Sequence, residues 1–94
     1  MNERLLAELS AIDGVEVAPS QSTGEPALWV DNREIVHAHG DWIEIRLTGK
    51  LFNQLDDERA MRRSRTSDWV MVDANHADLI VDLARQALEA NRRS

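Results

Sequence analysis

ALWVDNREIVHAHGDWIEIRL, residues 27–47, sets three strand-like runs end to end with turn-forming residues between them. Ala27 to Val30 is the first, and Asp31-Asn32-Arg33 has the composition of a hairpin turn. Glu34 to His39 follows, then Gly40-Asp41, then Trp42 to Leu47. Successive side chains of a strand point to opposite faces. Ile43, Ile45 and Leu47 therefore share one face, and Trp42, Glu44 and Arg46 the other. The same alternation places Ile35, His37 and His39 together. The stretch reads as an antiparallel meander with one wet face.

Upstream, Asn2 to Ile12 reads as a helix, because Leu5, Leu9 and Ile12 recur at helical spacing and Asn2 suits the N-cap. Asp13-Gly14 ends it, glycine tolerating the left-handed conformation common after helices. Val15 to Val17 alternates like a short strand, and Pro19 to Pro26 is a loop without an apolar anchor. Downstream, Thr48 caps a short helix carrying Leu51, Phe52 and Leu55. Asp56-Asp57-Glu58 opposes the helix dipole, so the helix should stop there. Trp69 to Asp73 is one more strand. Asn75 should cap a final helix, with Asp78 three positions on and Leu79, Ile80, Leu83, Ala84, Ala87 and Leu88 on its buried stripe. The expected order is αββββαβα, an α+β fold over residues 1–94. It has an antiparallel sheet of four to five strands with helices packed on one face.

Composition narrows the functions. The chain has 94 residues, 43% of them hydrophobic and 30% charged, which is a globular balance with room for one domain. There is no cysteine, so thiolate chemistry and Cys-based metal centres are excluded. The sequence Met1-Asn2-Glu3-Arg4-Leu5 is not that of a secretory signal, and no apolar run is long enough to span a membrane. Cytoplasmic residence is the expectation. The net charge is −6, although Arg59, Arg62, Arg63 and Arg65 bring four positive charges into one short segment, which leaves −10 elsewhere. Nucleic-acid binders neutralise phosphates with clustered Lys and Arg, so no nucleic-acid partner is expected of so acidic a chain.

His37 and His39 lie two apart on a strand, with roots about 7 Å apart on one face. They could chelate one metal ion, with Asp41 or Glu44 completing a two-histidine, one-carboxylate set. The alternative is that both rings pack and hydrogen-bond within the domain. Ser67, His37 and Asp68 supply the residue types of a catalytic triad but not the strained turn that presents a nucleophilic serine. Asp56-Asp57 reads as a solvated run. The four glycines, at 14, 24, 40 and 49, form no phosphate loop. The arginine cluster, Arg63 and Arg65 included, could join Arg46 in accepting an anion, or could pair with the neighbouring Asp56, Asp57 and Glu58. Trp42 falls off the helix-covered face. A tryptophan there marks a ligand or partner surface, or shields a histidine ring.

Arg33-Glu34-Ile35 leading into His37-Ala38-His39-Gly40-Asp41, then Ser67-Asp68-Trp69-Val70 before a long closing helix, resembles a family of small bacterial domains called the "luciferase domain". The resemblance runs over about residues 28–91 and implies no established activity. The chain departs from the pattern at Arg62-Arg63-Ser64-Arg65-Thr66, where the family has a longer link containing His and Pro. The functional expectation is a non-catalytic binding or regulatory module on the open sheet face, without a cofactor. Its candidate binding residues are His37, His39, Asp41, Trp42, Arg46, Arg63, Arg65 and Trp69, facing an unknown small ligand or protein. The alternatives are an enzyme, metal-assisted or otherwise, built on His37 and His39, and a homodimer joined through the tryptophan face.

Overall fold

The structure is a computed structural model, which describes residues 1–92. Helix α1 spans Glu3–Ser10, and the side chain of Asn2 caps it by accepting from the Leu5 N–H at 2.7 Å. Strands β1 (Glu16–Pro19), β2 (Pro26–Val30), β3 (Arg33–His39) and β4 (Trp42–Arg46) follow. Then come α2 (Gly49–Gln54), β5 (Ala60–Arg62), β6 (Trp69–Asp73) and α3 (Ala77–Asn91). Asp31 and Asn32 both take positive φ, 49° and 66°, as a two-residue hairpin turn with matching twist demands. Thr48 caps α2 through Leu51 N–H, and α2 ends before the acidic run.

All strand pairs are antiparallel, in the order β1-β2-β3-β4-β6-β5. There are six strands rather than four to five, and the order is αββββαββα. The addition is β5, cut from the arginine-rich segment. It lies at the sheet edge and pairs Ala60 with Val72 and Met61 with Met71. Edge position explains why it carries no hydrophobic alternation: Met61 is exposed, and Arg62 lays its guanidinium on Phe52.

The core lies between one sheet face and the helices. Val36, Ile43, Ile45, Val70 and Val72 are closed off by Ile80, Leu83, Ala84 and Ala87 of α3, with Leu5 and Leu9 of α1 in the same cluster. Burying each large aliphatic side chain contributes about 1.5–3 kcal/mol, which is what holds a 15-residue amphipathic helix on the sheet. Asn75 does not cap α3. His76 occupies the cap position without a side-chain hydrogen bond, and the Asn75 N–H is donated back to Asp73. No helix of the described residues is long and apolar enough to cross a membrane.

One irregularity sets up the open face. β3 pairs with β2 through Trp29↔Glu34 and Leu28↔Val36, so Ile35 is an extra residue, a β-bulge. Ile35 and Val36 are both fully buried in the core, while Glu34 and His37 emerge together on the opposite face. Ile35 therefore does not share a face with His37 and His39, contrary to simple alternation.

Candidate functional site

Across β3 and β4, His37 stands opposite Glu44, on the face away from the helices. Its Nδ1 lies 2.6 Å from Glu34 Oε2 and its Nε2 2.9 Å from Glu44 Oε1. All three side chains are buried. Each ring nitrogen already has a carboxylate oxygen as its hydrogen-bond partner. Arg63, arriving from the segment after β5, donates Nε to Glu44 Oε2 at 2.7 Å and Nη2 to Oε1. On the other flank, Ser20 Oγ donates to Glu34 Oε2 at 3.0 Å, and Gln21 N–H donates to Oε1 at 2.8 Å.

The result is a chain of alternating acidic and basic side chains, Glu34–His37–Glu44–Arg63. Burial pushes the Glu44 carboxyl up, but the hydrogen bonds and charges of Arg63 and His37 outweigh it and hold it below its ordinary value. The Glu44 carboxylate in turn raises Arg63. Trp69 reaches across β4 to roof this chain, its ring centroid 4.5 Å from that of His37.

Arg46 is the exception to this pairing. It lies across from Trp69 on the β4–β6 ladder, with its guanidinium 4.9 Å from the centre of that ring. Its Nε is shut off from water and has no hydrogen-bond partner among the described residues. Beside it opens a cavity of about 200 Å³, walled by Arg46, Arg63 and Trp69, floored by Glu34 and His37, and flanked by the 21–22 loop.

The structure thus brings together four of the expected residues, His37, Arg46, Arg63 and Trp69. His39 sits at the rim, its side chain 75% exposed and Nδ1 4.0 Å from Glu44. Asp41 is exposed in the β3–β4 turn, where its carbonyl accepts from Ala74 N–H. Trp42 is half-buried opposite His39, and Arg65 lines a separate groove with Arg62 and Ser64. His37 has no ring nitrogen left for a cation, and no group of three His, Asp or Glu among the described residues is placed to hold a metal. Ser67 Oγ accepts from Trp69 N–H, and Asp68 accepts from Leu47 N–H through its carbonyl, so both shape the turn into β6.

The arginine cluster divides. Arg59 grips Asp57, drawing that carboxyl down to about 2, and also reaches Asp78. Arg63 serves Glu44 instead. Ser20, Gln21 and Glu34 were not foreseen as site residues. For Glu34 the one trace in the sequence is the adjacent apolar pair Ile35-Val36 at the bulge, while Ser20 and Gln21, in the loop before β2, carry none. The chain matches no protein-family model, no curated protein and no solved structure.

Proposed function

We propose that the protein is a non-catalytic binding or regulatory module whose open sheet face takes a small anion in the cavity beside Arg46. The observation that supports this reading is the unpartnered Arg46. Its guanidinium lines the cavity and has no ion-pair partner among the described residues, so an anion there meets an uncommitted cation. The neighbouring carboxylates Glu34 and Glu44 hydrogen-bond to His37 and Arg63 and not to Arg46. Both nitrogens of His37 are occupied by Glu34 and Glu44, which suits the ring to holding these two carboxylates in place. Cytoplasmic residence belongs to the same proposal, as does membership of the "luciferase domain" family, whose pattern residues Glu34, His37 and Trp69 line this cavity.

Thermal unfolding with and without small carboxylates or phosphate, at constant ionic strength, tests the reading. Ligands raise stability by RT ln(1 + [L]/Kd), so wild type should melt higher with anion. Arg46→Met should fold as stably as wild type without anion and gain nothing from it. An equal anion-dependent rise in both proteins would remove Arg46 from the site.

A further inference from the structure

We infer that the ligand is a small carboxylate with a hydrogen-bond donor on the carbon next to the carboxyl group, that is, a 2-hydroxy or 2-amino acid. This rests on the anion reading above and narrows it. Three features of the cavity converge on the class.

The first is the free cation. Arg46 presents a planar fork, and guanidinium forks match carboxylates in geometry as well as charge. The second is a spare acceptor. Each carboxylate oxygen accepts about two hydrogen bonds. Glu34 Oε2 already takes two, from Ser20 and His37, but Oε1 takes only the Gln21 N–H. Glu34 lines the cavity, so a ligand meets one acceptor with room for one more donor. A simple carboxylate such as acetate leaves that position to water. A hydroxyl or ammonium group beside the carboxyl fills it while the carboxylate faces Arg46.

The third feature is charge and size. Arg46 brings one positive charge without an ion-pair partner among the described residues, which one carboxylate matches. A doubly charged phosphate would set its second charge against Glu34. About 200 Å³ holds some six or seven waters and falls below the ~300 Å³ at which drug-sized sites begin. The space therefore suits an acid of a few carbons.

Acetate, glycolate, glycine and inorganic phosphate, titrated into the wild-type protein at constant ionic strength and followed through amide resonances of Gln21, Arg46 and Trp69, distinguish the possibilities. Glycolate, glycine or both should bind at least about tenfold more tightly than acetate, the value of one added hydrogen bond to a charged group. Glycine ahead of glycolate assigns the donor as ammonium, and the reverse order assigns it as hydroxyl. Acetate equal to both overturns this inference and leaves the anion reading standing, as does phosphate binding tightest. No response to any of the four overturns the anion reading itself.

Discussion

Glu44 is 2% exposed and accepts three hydrogen bonds, one from His37 and two from Arg63. Removing one partner of a buried charged pair costs far more than the pair contributes, because the remaining charge stays buried. Glu44→Ala leaves His37 in that position, while Arg63, half-exposed, turns to water. The expected loss is about 3 kcal/mol, read from denaturant midpoints. The pH dependence has a definite sign. The folded Glu44 carboxyl lies below its ordinary value of 4.5, so its contribution is complete above that value. It disappears as pH falls through the depressed folded value. Wild type should therefore lose stability on acidification in this window more steeply than Glu44→Ala. Parallel acid limbs for the two proteins would show that Glu44 is not held ionised by its partners.

At the scale of elements, α3 and the bulge in β3 divide the work. Leu83 is fully buried against the sheet, and Leu83→Ala should destabilise by about 2–5 kcal/mol in a denaturant titration. A change within error would mean that α3 does not carry the core. Much of this level was legible in advance. Asn2 and Thr48 are side-chain caps that announce helix starts, Asp31-Asn32 is a turn by composition, and the stripe from Leu79 to Leu88 has helical period. β5 was not legible. An edge strand of three residues, with Met61 in solvent and Arg62 beside it, buries too little to leave a pattern in the sequence. The site was half legible for a related reason. His37, Arg46, Arg63 and Trp69 are conspicuous residue types, whereas Glu34 becomes a partner of His37 only because Ile35 is the extra residue. A period of two cannot show that in advance.

For the molecule as a whole, the positive charge concentrated between Arg59 and Arg65 is largely committed inside the fold. Arg59 is paired with Asp57 and Asp78, Arg63 with Glu44, and Arg62 donates to the Ser67 carbonyl. Within this segment only Arg65 is left without such a contact among the described residues, and the overall charge is −6. DNA or RNA binding should be absent, or weak and lost as salt approaches physiological strength, in a filter or anisotropy assay. Tight binding at physiological salt that survives replacement of Arg62 and Arg63 would contradict this.

The alternating chain Glu34–His37–Glu44–Arg63 also constrains how such a sequence can drift. Each member is tolerable only while its neighbours keep their charges, so single replacements at these positions are penalised one by one. Exchanging the whole set for well-packed apolar residues can be neutral or even stabilising, as buried ion networks elsewhere allow. The four positions are therefore expected to behave as a single heritable unit, crossing between polar and apolar states together, with the intermediates selected against. A lineage that has made the crossing would keep the sheet and its covering helices while losing the floor of the cavity beside Arg46.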